Sequence, residues 1–549
     1  MTDLSTGSEA LALGALDAGV QFVTGYPGSP STRVFDALVE RAPPGRTPRL
    51  EWAINEKSAL DAALGASLAH VRALVCLKSV GLNVALDSLM VAVLAPGDGG
   101  LVILAGDDPG GWGSQNEQDS RLLAAAAEVP LLEPTSAGAG RGVMRQAFEL
   151  SEAHRLPVVV RITRALATAR SELVPAIGPV VPGARSATFQ HQPERFNVLP
   201  ISVVSMHRRV QAALDEVQAV FGTSALNSVA GSGRRGVVAA GHLAEKLATV
   251  LGEIGPLPLQ VLSLTTLHPL PEHTLVEFMR ELDGVLVLEE TAPYVESRLQ
   301  ALAQQAGLAL PILGRGSGHL PGAGELFRPE IARALAGLLP DVALPVLEGG
   351  GRPMPSRQPL CDDCPYIPTL EALLAVMARH GGRERFVVTG ETGCMVRAQL
   401  PPWQIMDAKY GMGASIGLAS GLARAGISQR VVALSGDSAF LHSGLNELID
   451  AVQAGGDLLV VLLENETTAL SGGQPHPATA HDALGRARRP VDLPALARAT
   501  GAAPVWVLDP RDRPRLEAAF DEGLTGGGVA VAIVREACPR WTHDDRSAG

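Results

Sequence analysis

Aromatic residues are scarce, at 4% of the 549-residue chain, so its cores must be built from aliphatic side chains. No apolar run reaches the ~18 residues that a membrane-spanning helix needs. Five cysteines in a chain of this length are too few for a disulfide frame and point to reduced thiols or metal ligands. A basic region is missing from the start, MTDLSTGSEALALGALDAG, so we expect no signal peptide and a cytoplasmic protein. Positive charge is also in deficit. The formal net charge of −12 argues against nucleic acid or an anionic membrane as the main partner. What the chain has in quantity is hydrophobic residues, 46%, and 60 glycines, which together indicate an α/β protein with tight turns and Ala/Leu/Val interiors. The length predicts about three or four domains.

The stretch that organises the rest runs from Arg430 to Ala478. A buried-strand pattern, Val431 to Leu434, breaks at Ser435-Gly436-Asp437-Ser438. An amphipathic helix is predicted from about Leu445 to Gln453, and a second apolar strand, Leu458 to Leu463, ends at Glu464-Asn465. Two strand ends thus carry an acid and an amide, in the crevice where open parallel sheets bind ligands. A hard divalent cation takes oxygen ligands and keeps phosphate oxygens in its shell. Asp437, the Asn465 side chain and a backbone carbonyl at Thr467 would supply such ligands, with the Gly436 turn and the following helix N-terminus offering N–H groups to a diphosphate. Taken alone, Gly-Asp-Ser is ordinary turn chemistry. With a strand-end Asn on the next strand and TTALSGGQPHP directly after, it resembles the thiamine diphosphate signature.

Before this stretch, the first region to about Leu173 alternates helices with short apolar strands, the mark of a parallel sheet covered on both faces. Its first strand runs into Tyr26-Pro27-Gly28-Ser29, a rigid loop that backbone or ligand can approach closely or a plain strand-to-helix turn. Glu56 opens an Ala-rich helix, where a carboxylate ordinarily does no more than offset the helix dipole. Lys78-Ser79 and Gly106-Asp107-Asp108 follow strands, and the second leads into Ser114 to Arg121, which reads as pocket lining or as solvated loop. We assign 1–173 to a first α/β domain, 174–232 to a connector, 233–340 to a smaller α/β domain, 341–359 to a Pro/Gly-rich linker and 360–549 to a third α/β domain.

GYPGSPST, NEKSALDAALGAS, GLNVALDSLM, GDDPG, SQNEQDSR, CDDCP, GMGASIGLASG and GDSAFLHSG, in this order over nearly the whole chain, resemble the thiamine-diphosphate subunits of indolepyruvate:ferredoxin oxidoreductases, within the 2-oxoacid:ferredoxin oxidoreductase family. The resemblance implies two doubly wound thiamine-diphosphate-binding domains, one for the pyrimidine (1–173) and one for the diphosphate and Mg2+ (360–549), with a transketolase C-terminal-like α/β domain (233–340) between them in sequence. It implies oxidative decarboxylation of a 2-oxoacid, arylpyruvate-like, with coenzyme A taking the acyl group. It implies Glu56, with Glu51 as the fallback, as the acid that hydrogen-bonds the pyrimidine N1′. Tyr26, Pro27, Gly28, Ser29, Gly413, Gly436, Asp437, Ser438, Asn465, Thr467, Thr468 and Ala469 become cofactor-binding residues, with Asp437, Asn465 and Thr467 on Mg2+. His442 and His476 stand beside the diphosphate stretch, His476 placed by Pro475 and Pro477 rather than serving as a base.

Cys361 and Cys364 form a CxxC, Cys394 follows a strand and Cys538 lies far downstream. On their own these read as a turn with buried thiols, half a zinc site, or four ligands for a [4Fe–4S] cluster. The family pattern implies the last, one cluster next to the thiamine; Cys76, within an apolar strand, reads as core. The family's dense CxxCxxC runs, which mark a ferredoxin-like domain, do not follow Cys538, so electrons are expected to leave from the single cluster to ferredoxin, another carrier or a second, beta- or gamma-type subunit in a homo- or hetero-oligomer. Asp363 stands where the family tends to have Gly, and Tyr366 and Ser79 stand where it tends to have His. A non-redox thiamine decarboxylase or carboligase, and an inactive scaffold subunit, are the competing readings.

Overall fold

The computed structural model describes residues 4–42, 48–174, 186–349 and 358–541. Parts of the expected connector (175–185) and linker (350–357) lie outside the described residues. The chain divides into two compact units, Met1–Glu51 with Glu56–Met354, and Trp52–Asn55 with Pro355–Gly549.

The first unit holds a seven-stranded sheet in the order Thr266–His268, Leu131–Leu132, Val158–Thr163, Leu101–Asp107, Ala73–Lys78, Phe22–Gly25, Arg49–Trp52. The pairs from Leu131–Leu132 through Phe22–Gly25 are parallel, as the continuous apolar runs predict: every residue of Leu101–Asp107 and of Val158–Thr163 is buried. Cys76 sits in this core, and burial pushes its thiol well up. Thr266–His268 was not foreseen. It comes from the segment expected to form the smaller domain, yet it pairs antiparallel with Leu131–Leu132. The five-stranded sheet of the same unit is parallel except for another unforeseen edge, Ser228–Gly231, which lies in the expected connector and runs antiparallel to Leu259–Leu264.

A buried ionic network ties these two sheets. Arg121 donates to Asp119 (2.6 Å) and Glu289 (2.7 Å), and Arg161 donates to Asp107 (2.6 Å) and to Glu133. Asp119 also accepts the N–H groups of Thr291 and Ala292. The end of the Ser114–Arg121 stretch is therefore neither pocket lining nor solvated loop. Its charges are interior and fully partnered, and removal of one member of such a network costs roughly 3–5 kcal/mol.

His268 closes the same region, its Nδ1 2.8 Å from the Tyr294 hydroxyl. Burial, then Arg298, pushes its pKa down to about 4. The unfolded chain therefore binds a proton that the native fold rejects, so stability is full above about pH 6.5 and declines as pH falls towards 4. We expect this histidine to account for about 2–3 kcal/mol of the acid loss. His268→Gln, which keeps a partner for Tyr294, should flatten that limb of the melting temperature against pH; superimposable acid limbs would refute the assignment.

The second unit is built on a six-stranded, wholly parallel sheet ordered Ala408–Lys409, Phe386–Gly390, Arg430–Gly436, Leu458–Glu464, Val529–Arg535, Val505–Leu508. The predicted helix is present as Leu445–Ala454, and two helical segments that the periodicity does not show, Asp437–Ala439 and a π segment at Phe440–Gly444, precede it after Arg430–Gly436. No helix among the described residues is long and apolar enough to cross a membrane.

Candidate functional site

Three neighbouring strands of the second unit end, side by side, in Glu391, Asp437 and Asn465. Asp437 is buried and saturated with backbone donors: Ser438 N–H reaches Oδ1 (2.7 Å), while Asn465 and Glu466 N–H reach Oδ2 (2.9 and 2.8 Å). Oδ1 keeps a lone pair for a cation. Glu466 takes a left-handed backbone (φ 64°) that turns the chain so that both N–H groups meet one carboxylate oxygen. Asn465 Oδ1 accepts from Thr467 N–H (3.2 Å), and its Nδ2 donates to the Tyr366 hydroxyl (3.1 Å). Thr468 reaches the Ser438 hydroxyl (3.3 Å), joining the two loops expected to line a diphosphate. Ala469 opens the short helical turn Ala469–Ser471 beside them.

His476 is placed as the flanking prolines suggest. Its Nδ1 accepts from Ala478 N–H, and its buried Nε2 stands 3.1 Å from Asp437 Oδ2 without a hydrogen-bond alignment. A buried ring nitrogen with no aligned hydrogen bond, beside a pinned carboxylate, fits a site that a ligand completes. His442 is buried too, with Nδ1 3.2 Å from Ser443 Oγ.

Glu391, directly after the strand Phe386–Gly390, carries no functional reading from the sequence. Its carboxylate accepts from Gly413 N–H and Ser415 N–H, both at 2.9 Å, and so fixes the Gly411–Gly413 turn. Burial pushes its pKa up, against those two donors. Gly413 needs φ +82°, and a Cβ there would collide with Ser443 Oγ. An acid directly after a strand and ahead of GMG was the available signal.

Cys361, Cys364, Cys394 and Cys538 line one cavity of about 220 Å³, together with Asn465, Arg397 and Arg540. The CxxC turn closes through Cys364 N–H to the Cys361 carbonyl (3.0 Å) and leads into the helix Tyr366–Arg379. Burial, with the other cysteines adding to it, pushes the Cys364 thiol up to about 12; burial likewise pushes Cys394 up to about 11. These thiols stay neutral unless positive charge enters among them. Among the described residues no three of His, Cys, Asp and Glu converge on a point that would hold one metal ion. The donor set itself, four cysteines around one cavity, has the residue types that a thiolate-bound polynuclear group takes. Cys538 N–H donates to the Asn465 carbonyl (3.0 Å), so the strand end bearing the amide and the fourth cysteine are hydrogen-bonded neighbours. Tyr366, where the family tends to have His, is buried, and its hydroxyl accepts from Asn465 Nδ2. Burial raises its pKa far above the usual phenol value, and Asp437 and three of the cysteines add to that.

In the first unit, Glu56 is buried at the start of the helix Glu56–Leu68. It packs on Gly81, where a Cβ would stand 2.5 Å from its Oε1. Glu51 instead lies in an edge strand, ion-paired to Arg49 and 39% exposed, which disfavours it as the buried acid. Tyr26 is buried, and its N–H donates to the Cys76 carbonyl (3.2 Å). Pro27, Gly28 and the exposed Ser29 form the loop after it, in which Gly28 N–H donates to Thr32 Oγ1 (2.7 Å). A Cβ on Gly28 would crowd Lys78 at 2.9 Å, and one on Gly106 would crowd Pro30 at 2.9 Å. The loop therefore lies over the ends of the strands that carry Lys78, Ser79 and Asp107.

Residues 13–205 match the family of thiamine-diphosphate-binding domains of pyruvate flavodoxin/ferredoxin oxidoreductases, and residues 391–534 match the C-terminal TPP-binding domain of thiamine pyrophosphate enzymes. The chain is 34% identical to the indolepyruvate oxidoreductase subunit IorA of Methanothermobacter marburgensis, covering 97% of this chain and 86% of that one. It belongs to the IorA family. The Archaeoglobus fulgidus IorA is 32% identical, over 99% of this chain and 88% of its own length. A 2-oxoglutarate synthase subunit, KorB, of the same organism is 28% identical over 190 residues, 33% of this chain and 70% of its own. The IorA family fixes the reaction class as thiamine-diphosphate-dependent oxidative decarboxylation of 2-oxoacids, and the two domain matches place thiamine-diphosphate-binding folds at either end of the chain.

Proposed function

We propose that the chain is the catalytic subunit of an oxidoreductase for arylpyruvate-like 2-oxoacids such as indolepyruvate, that coenzyme A takes the acyl group, and that electrons leave through one [4Fe–4S] cluster on Cys361, Cys364, Cys394 and Cys538. The carrier beyond it is ferredoxin or a partner, a second subunit completes the assembly, and the compartment is the cytoplasm. When bound, thiamine diphosphate supplies the carbanion and electron sink that loss of carbon dioxide from a 2-oxoacid requires. Glu56 holds a proton at the aminopyrimidine N1′. Asp437, the Asn465 amide and the Thr467 carbonyl hold Mg2+, and Tyr26, Pro27, Gly28, Ser29, Gly413, Gly436, Ser438, Thr468 and Ala469 line the cofactor.

The observation that carries the redox reading is the hydrogen bond from Cys538 N–H to the Asn465 carbonyl (3.0 Å), with all four cysteines and Asn465 on one cavity wall. A non-redox decarboxylase has no use for four thiols gathered at the cofactor-binding strand ends. Protein purified without oxygen should carry about four irons per chain, the content of one cubane cluster, with broad visible absorbance. It should reduce a viologen dye with an arylpyruvate and coenzyme A. Iron-free protein that still decarboxylates the 2-oxoacid would overturn the redox reading in favour of a decarboxylase or carboligase.

A further inference from the structure

The cysteine cavity has charge at its rim that the reaction itself does not call for. Arg540, two residues past Cys538 and exposed, points its Nη1 at Cys361 Sγ, 3.8 Å away. Arg397, three residues past Cys394, lines the same cavity, and its charge acts on Cys394. Asp363, inside the CxxC, opposes them through its charge on Cys538.

We infer that Arg540 sets the reduction potential of the group held by the four cysteines, by donating a charge-assisted hydrogen bond to the Cys361 sulfur. The inference rests on the cluster proposed above. Adding an electron makes a thiolate-ligated cluster more negative, and an N–H dipole and a positive charge at a ligand sulfur stabilise that reduced form; both raise the potential. Cys538, one of the four cysteines, donates its N–H to the Asn465 carbonyl, so the group that they would hold lies beside the strand end of the cofactor site. Arg540 is a positioning residue in this role, since it touches a ligand and not the substrate.

The test uses the intact chain, anaerobically reconstituted, in wild-type, Arg540→Gln and Arg540→Lys forms. Iron is assayed first, and redox titration is then followed by the cluster's electron paramagnetic resonance signal. In Arg540→Gln, at the wild-type midpoint potential, the oxidised-to-reduced ratio should rise about tenfold, a shift of about 59 mV to lower potential for one electron. Arg540→Lys, which keeps the charge and loses the planar fork, should fall between the two. Equal potentials in wild type and Arg540→Gln would overturn the inference. So would an Arg540→Gln protein that takes up no iron beside a loaded wild type, because the residue would then assemble the site and not tune it. A wild type that itself takes up no iron removes the cluster proposal, a separate outcome visible before any titration.

Discussion

Glu56→Gln is expected to lower turnover by about 10²–10⁴-fold, the range lost when a positioned acid–base group is removed, while cofactor affinity changes little. The expectation comes from how the carboxylate is held. Glu56 starts its helix, is 6% exposed, and lies against Gly81, the residue whose missing Cβ leaves room for Oε1. Gln keeps this shape and can still donate an amide N–H to a ring nitrogen, but it has no ionisable proton to transfer at N1′. The defect should therefore appear in kcat more than in KM, because the interaction matters most in the transition state. Steady-state dye reduction gives the rate, and calorimetric titration with thiamine diphosphate and Mg2+ shows whether binding survives. Unchanged turnover would remove Glu56 from the chemistry and favour the scaffold reading.

How far the sequence carried depended on which forces were local. The strands Arg430–Gly436 and Leu458–Glu464 were legible because a parallel sheet buried on both faces demands continuous apolar runs. The helix Leu445–Ala454 was legible as well, but the turn Asp437–Ala439 and the π segment Phe440–Gly444 that lead into it were not, since AFLHSG mixes small and polar residues and a π turn breaks the 3.6-residue repeat. The edge strands Ser228–Gly231 and Thr266–His268, four and three residues long, offer no period to detect. Asp119 and Arg121 read as pocket lining or solvated loop because the second carboxylate that holds Arg121 in the interior, Glu289, is 168 residues from it. Long-range pairing of this kind leaves no local trace. At the site, Asp437 and Asn465 stood out because two adjacent strand ends carry polar side chains, whereas Glu391 acts mainly on the backbone N–H groups of Gly413 and Ser415, more than 20 residues away.

Asp437→Asn should weaken thiamine diphosphate binding in the presence of Mg2+ by about a hundredfold or more, which corresponds to roughly 3 kcal/mol. Two losses combine. The formal charge that a divalent cation seeks disappears, and an amide cannot accept at both ends. Asp437 Oδ1 meets the Ser438 N–H and Oδ2 meets those of Asn465 and Glu466, so an asparagine NH2 must face a donor whichever way it turns. An unmet buried donor costs about 1–3 kcal/mol, and a bond to a charged acceptor is worth about 1.5–3. Part of that penalty falls on the fold and part on binding, and the melting temperature separates them. The cofactor-free variant should melt somewhat lower than wild type, and the rise that ligand produces, which grows with the ratio of ligand to Kd, should nearly vanish. Excess Mg2+ should not restore it, because the turn from Asn465 to Thr467 is held by the same carboxylate that meets the ion. A variant that binds the cofactor as wild type does would show that the three strand-end residues are a brace for the sheet alone, and the metal site would have to be sought elsewhere.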